Sequence, residues 1–153
     1  MNKQSKNICI HVCDDNPVAI EEAIKITKDL LNEEGLAAEI ITYKDGNQFT
    51  ERYKERKDEL IILDIEMPGK SGLDILKEFE THCKNNRVIL LTAYDNLALQ
   101  SLTYGPFQIV RKDLMEIDLE KAIRRFLRIR NEQNAQLEIK EDGMQRVVDI
   151  KDI

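Results

Sequence analysis

Five polar positions in this chain carry the side chains for one piece of chemistry: Asp14 with Asp15, Asp64, Thr92 and Lys112. Each stands where an apolar run gives way to polar residues. Three carboxylates brought together repel one another unless a cation is present, and a hard divalent ion, Mg²⁺ by preference, suits an all-oxygen set. A carboxylate is also a nucleophile toward phosphorus and can form an aspartyl phosphate. Metal would offset the charge on the phosphoryl oxygens, while an ammonium and a hydroxyl contact the others. The set fits phosphoryl transfer, with Asp64 as the residue most directly presented.

Bringing these residues together requires a particular arrangement of elements. Leu60-Ile61-Ile62-Leu63 has no polar face and reads as a strand buried on both sides, as in a parallel sheet. It ends at Asp64 and turns through Met67-Pro68-Gly69. Residues 8–12, 37–43, 88–91 and 107–110 read as four further strands. The first ends near Asp14 and Asp15, the fourth at Thr92, the fifth at Arg111-Lys112. Between them run helical patterns. Ile20, Ala23, Ile24, Thr27, Leu30 and Leu31 follow Asn16-Pro17 and close at Gly35; a charged segment, 47–57, carries Phe49 and Tyr53. Ser71-Gly72-Leu73-Asp74 forms a capping box before Leu73, Leu76, Phe79 and Cys83. Residues 95–102 give a shorter helix stopped by Gly105-Pro106, and 115–130 the last one. Five strands alternating with five helices predict a doubly wound, five-stranded parallel α/β sheet, in which ligands sit beyond the carboxyl ends of the strands.

The totals agree with one such domain. The chain has 153 residues, is 42% hydrophobic and 34% charged, and carries a net charge of −6, which disfavours general binding to nucleic acid or anionic membranes. No apolar stretch approaches the length that spans a bilayer, and the polar first residues argue against export. Cys9, Cys13 and Cys83 form no disulfide pattern and fit a reducing cytoplasm. Cys9, His11 and Cys13 alternate along the first strand, but their spacing matches no common zinc motif, so they read as buried under a helix.

The motifs Asp14-Asp15, Leu63-Asp64-Ile65-Glu66-Met67-Pro68-Gly69, Leu91-Thr92-Ala93 and Lys112, in this order on these elements, resemble those of two-component response-regulator receiver domains. The resemblance spans residues 7–130 and implies a flavodoxin-like (βα)5 fold. It implies Asp64 as phosphoacceptor, a histidine kinase as donor, and Mg²⁺ held by Asp15, Asp64 and the Glu66 backbone carbonyl, with Asp14 helping through water. Thr92 and Lys112 would bind the phosphoryl group. It also implies a phosphorylation-dependent dimer face formed by the fourth helix, fifth strand and fifth helix. Thr92-Ala93-Tyr94-Asp95-Asn96 and Tyr104-Gly105-Pro106-Phe107 are similar to the subgroup with a LytTR-type DNA-binding output.

Two positions depart from the family pattern. Asp113 follows Lys112 where Pro, often in a cis bond, is usual, so a different loop path is expected. Ile109 replaces the usual aromatic switch residue, so the coupling of Thr92 to that position is expected to differ. After the fifth helix, residues 131–136 read as a junction and Leu137-Glu138-Ile139-Lys140 as a strand. Glu141-Asp142-Gly143 supplies a turn, and 145–150 reads as a second strand. Val147-Val148-Asp149-Ile150-Lys151-Asp152-Ile153 is similar to the opening of a LytTR-type domain, which would make residues 137–153 its truncated start. Two other readings stand beside this one: a receiver acting alone through protein contacts, and a small Mg²⁺-dependent phosphohydrolase. The second rests on Asp64-x-Glu66, which resembles the Asp-x-Asp of the haloacid-dehalogenase superfamily, although there the motif ends the first strand.

Overall fold

The computed structural model describes residues 8–82 and 84–142. Its central strand, β3 (Glu59–Asp64), is buried at every position. Leu60, Ile61, Ile62 and Leu63 are wholly excluded from solvent, each contributing about 1.5–3 kcal/mol of transfer free energy. A strand with that much apolar surface on both faces needs layers above and below it. β1 (Ile8–Cys13) and β4 (Val88–Thr92) flank it, with β2 (Ala38–Tyr43) and β5 (Gln108–Arg111) outside them, in the order β2-β1-β3-β4-β5. All four pairings are parallel, as predicted.

Alternation along the strands sorts the core into two layers. Ile8, Ile10 and Val12 face one side with Leu60, Ile62, Ile89 and Leu91, under α1 (Pro17–Glu33) and α5 (Met115–Asp142). Cys13, Ile61, Leu63, Val88 and Leu90 face the other, under α2 (Gly46–Arg52) and α3 (Gly72–Thr81), with Leu97 of α4 (Asp95–Leu102) packed at its margin. Asn16 caps α1, its side chain accepting from the Val18 amide at 2.9 Å; Pro17 stands at the first helical position and Gly35, at φ 68°, follows the helix. The Ser71–Asp74 capping box closes in both directions at 3.1 Å.

Two expectations are corrected. α2 stops at Arg52 instead of reaching 57, because Tyr53 leaves the helix to direct its hydroxyl at Glu59, and the Arg56 amide turns to the same carboxylate. The junction at 131–136 and the strand at 137–140 are absent: α5 runs unbroken to Asp142. Glu132, Gln133, Ala135 and Gln136 are good helix formers, and no Gly or Pro occurs between Pro106 and Gly143. The proposed second strand at 145–150 and the LytTR-like residues 147–153 that overlap it lie outside the described residues, as does Cys83. Among the described residues, no helix is long and apolar enough to cross a membrane.

Candidate functional site

β1, β3 and β5 deliver their polar ends to one edge of the sheet. Asp14 follows β1, tied by its amide to Tyr43 O at 3.2 Å. Its Oδ1 accepts from the Asn16 amide at 2.9 Å, an Asx turn that fixes the carboxylate just before α1 begins. Asp64 ends β3, and the next amide, Ile65, donates to Leu91 O on β4 at 3.0 Å, holding the strand end in place. Gly72 lies against this turn: its amide donates to Ile65 O at 2.8 Å, and a Cβ there would run into Asp64 O and sit 2.8 Å from Ile65 Cα.

Lys112 joins the two acids. Its Nζ lies 2.9 Å from Asp14 Oδ2 and 3.2 Å from Asp64 Oδ1. Asp14 and Asp64 are both buried, whereas Asp15 is exposed beside them. Burial first, then the Asp14 charge, push the Asp64 pKa up to about 7 against the pull of Lys112. Burial alone would lower the Lys112 pKa, but Asp14 and Asp64 outweigh it and raise it, so the ammonium keeps its charge.

The carboxylates of Asp14, Asp15 and Asp64 each offer an oxygen within 4.8 Å of the others. Asp14 Oδ2 is buried and, apart from its ion pair with Lys112, has no aligned hydrogen-bond donor. A buried acceptor left short of donors, in a cluster with excess negative charge, fits a hard cation held by oxygens. Asp15 and Glu66 line one cavity of about 470 Å³ with Ile65, Met67, Pro68, Ser71, Leu73 and Leu97, so the acidic edge is open on that side.

The remaining predicted residues are placed as follows. Thr92 ends β4 next to β3, but its hydroxyl is engaged in its own loop, donating to Tyr94 O and accepting from the Tyr94 amide, both at 3.0 Å. Ile109 pairs with Leu90 and packs, half-buried, on the α3 side of the sheet. Asp113 follows Lys112 in a short 3₁₀ turn (Lys112–Leu114), and no peptide bond among the described residues is cis. Cys9, His11 and Cys13 are buried; His11 contacts Tyr43 OH at 2.8 Å and Glu59 Oε1 at 3.0 Å, the polar partners of a packed side chain. The sequence reading missed the anchoring of Asp14 by Asn16, for which the Asp-x-Asn spacing was a usable signal. It also missed the contact of Arg111 with its neighbours, for which there was none.

Fold and site together define a class: a doubly wound parallel α/β domain with a lysine-bridged acidic pocket beyond the carboxyl ends of its strands. The family model of the response regulator receiver domain matches residues 10–124, and the chain belongs to that family, the phosphoacceptor domains of two-component signalling. It is 32% identical over 80 residues to sporulation initiation phosphotransferase F of Bacillus subtilis, covering 51% of this chain and 64% of that protein. It is 31% identical over 88 residues to chemotaxis protein CheY of the same organism, covering 58% and 70%. The crystal structure of response regulator TrrA from Thermotoga maritima, in complex with Mg²⁺–BeF, superposes with a TM-score of 0.59 at 32% identity, covering 76% of this chain and 96% of that one. The chain spans only 55%, 46% and 45% of three other curated relatives. Receiver domains bind Mg²⁺ at this acidic pocket and work with histidine kinases.

Proposed function

We propose that Asp64 accepts a phosphoryl group from the phosphohistidine of a sensor kinase, and that the chain then changes its partner surface to control an output. The observation that carries this reading is Lys112 bridging Asp14 and Asp64 within 3.2 Å, beside the exposed carboxylate of Asp15. Lys112 holds Asp64 Oδ1, which leaves the second oxygen to attack phosphorus. A new O–P bond forms, the P–N bond to the donor imidazole breaks, and the nitrogen leaves with the electron pair. The Lys112 ammonium is placed to take up a phosphoryl oxygen. Asp14, Asp15, Asp64 and the Glu66 backbone carbonyl would hold Mg²⁺, which when bound offsets charge on the transferring group. Burial keeps Asp64 short of water, so its charge is stabilised chiefly by the groups around it.

Thr92 can bind the phosphoryl group only by giving up Tyr94 O, which moves the loop leading into α4. A ligand shifts a conformational equilibrium only through different affinities for its two states, and this exchange of partners supplies one such difference. Ile109 lies on the neighbouring strand and, being aliphatic, responds by repacking instead of swinging as a ring. The surface altered is α4, β5 and α5, where Leu99 and Leu102 are exposed, and a homodimer forms through it. The output is transcription through a following LytTR-type DNA-binding domain in a cytoplasmic regulator. The Thr92-Ala93-Tyr94-Asp95-Asn96 segment supports the LytTR type, and the likeness to relatives named as transcriptional regulatory proteins, such as FixJ of Azorhizobium caulinodans, 26% identical over 144 residues, supports transcription as the output. The chain acts as a phosphoacceptor with at most slow autodephosphorylation, and not as an enzyme acting on other substrates.

Incubation with acetyl phosphate and Mg²⁺ tests the chemistry. One acid-labile, hydroxylamine-sensitive phosphate per chain is expected, absent in Asp64→Asn and absent with EDTA. Release of many phosphates per chain from phosphomonoesters would overturn the reading in favour of a phosphohydrolase.

A further inference from the structure

Lys112 is flanked by two residues that hold each other. Arg111 Nε donates to Asp113 Oδ1 at 3.2 Å and Arg111 Nη2 to Asp113 Oδ2 at 3.0 Å, a bidentate bond closed across the lysine between them. The third nitrogen of the same guanidinium, Nη1, lies 3.3 Å from Asp95 Oδ1. Asp95 is the first residue of α4, so a single planar cation spans the bend after β5 and the start of a helix two elements earlier.

Beyond this clasp, the start of α4 is tied to β4 through the Thr92–Tyr94 hydrogen bonds, and the bend lies between the β4-paired Arg111 and the buried Met115. Arg111 ends β5, in register with Thr92, and gives no side-chain cap to the bend; the turn of Lys112 to Leu114 that follows is closed by the Met115 N to Lys112 O bond. α4 buries only Ser101, and Tyr94 before it makes no side-chain cap. A flexible four-carbon side chain such as that of Lys112 is aimed by its backbone, so a bend free to drift would spread the ammonium over more positions.

We propose that Arg111 is a positioning residue for the phosphoacceptor site: shared between Asp113 and Asp95, it fixes the bend that aims Lys112 at Asp14 and Asp64 and ties that bend to the first turn of α4. The inference rests on Asp64 as phosphoacceptor. Arg111 touches neither Asp64 nor the phosphoryl position and acts through Lys112. Movement of Lys112 toward a phosphoryl oxygen is passed to α4 through this guanidinium, alongside the Thr92 loop. Arg111 is about half exposed, at 49%, so solvent screens the pair and the effect is a matter of a few-fold, not orders of magnitude.

The test measures acetyl-phosphate labelling rate, Mg²⁺ titration midpoint and amide hydrogen exchange in the whole chain. Arg111→Gln and Asp113→Asn are expected to slow labelling about two- to five-fold, the scale of a partly exposed ion pair, at saturating Mg²⁺. The Mg²⁺ midpoint stays unchanged, because Asp14, Asp15 and Asp64 are intact. Arg111→Lys fails to restore the rate, since an ammonium cannot span two carboxylates bidentately. Asp95→Asn speeds exchange in the first turn of α4. Lys25→Gln, which breaks an exposed pair on α1, is the control and leaves both readouts at wild-type values. Wild-type labelling and wild-type α4 exchange in Arg111→Gln would overturn the proposal, as would a shifted Mg²⁺ midpoint. If the wild-type chain takes no phosphate on Asp64, the phosphoacceptor reading fails, while the α4 exchange of Arg111→Gln still decides whether the clasp exists.

Discussion

Replacing Glu59 by Gln should destabilise the protein in a way that fades as the solution is acidified. Glu59 opens β3, is 2% exposed, and collects four donors. These are His11 Nε2 at 3.0 Å, Tyr53 OH at 2.6 Å, the Arg56 amide at 3.0 Å and Arg87 Nη1 at 2.9 Å. A carboxylate only accepts, so His11 Nε2 carries the hydrogen and Nδ1 is left to Tyr43 OH. Burial is the largest single influence on this carboxyl and pushes its pKa up. The bonds from His11, Tyr53, Arg56 and Arg87 together outweigh it and bring the pKa from 4.5 to about 2. Because the folded value lies below the unfolded one, the group's stabilisation is fully present above pH 4.5 and is lost as pH falls through 2.

The shift corresponds to about 3 kcal/mol at neutral pH. Gln keeps the shape but turns an NH₂ toward groups that are themselves donors, so a loss of about that size is expected at pH 7. Between pH 7 and 3.5, protonation of Glu59 in the unfolded chain removes about 1.4 kcal/mol of the wild-type advantage, and the gap to the Gln variant narrows by that amount. Urea unfolding of both proteins at several pH values measures it. A gap that stays constant from pH 7 to 3.5 would refute the reasoning, as would a Gln variant equal to wild type at pH 7.

Gly72→Ala places a Cβ against the backbone of Asp64 and Ile65, where nothing flexible can yield. It should lower stability by about 3 kcal/mol or more and remove phosphate labelling of Asp64 even where the fold survives, whereas normal labelling would show that the turn has slack. Ending the chain after Arg130 keeps the Arg130–Asp58 pair at 2.7 Å and removes a helical segment whose residues 131–137 are all exposed. Stability should change by less than about 1 kcal/mol and labelling not at all, while helical circular dichroism falls. A large drop in melting temperature would mean that the segment packs on the domain.

The strands and the acidic edge were legible because each strand end is marked twice, by the close of an apolar run and by the polar residue that replaces it. Leu60 to Leu63 could be read as buried on both faces, which alone requires parallel neighbours and helices on either side. Asp64 then follows from the polarity of the strand. What stayed hidden depends on partners distant in sequence. Glu59 looks like any charged residue before a strand, and nothing local says that His11, Tyr53 and Arg87 converge on it. The end of α5 was misjudged for a different reason. Leu137 and Ile139 show the alternation of a strand, but two residues of alternation do not outweigh a dozen helix-compatible positions continuing an already nucleated helix.

β3 carries a buried carboxylate at each end, and the two are treated in opposite ways. At Glu59 four donors surround the charge, and its pKa falls to about 2. At Asp64 the surroundings are two more acids and a lysine shared with Asp14, and its pKa rises to about 7. The same strand, in the same apolar sandwich, therefore holds one carboxylate that is satisfied and one that is not. Burial cannot explain the difference, since both are nearly inaccessible. The difference is the supply of donors together with the repelling charge of Asp14, and at Asp64 a cation or a covalent substituent recovers that free energy on arrival. Substituting Glu59 should accordingly weaken the scaffold, while substituting Asp64 should remove the chemistry.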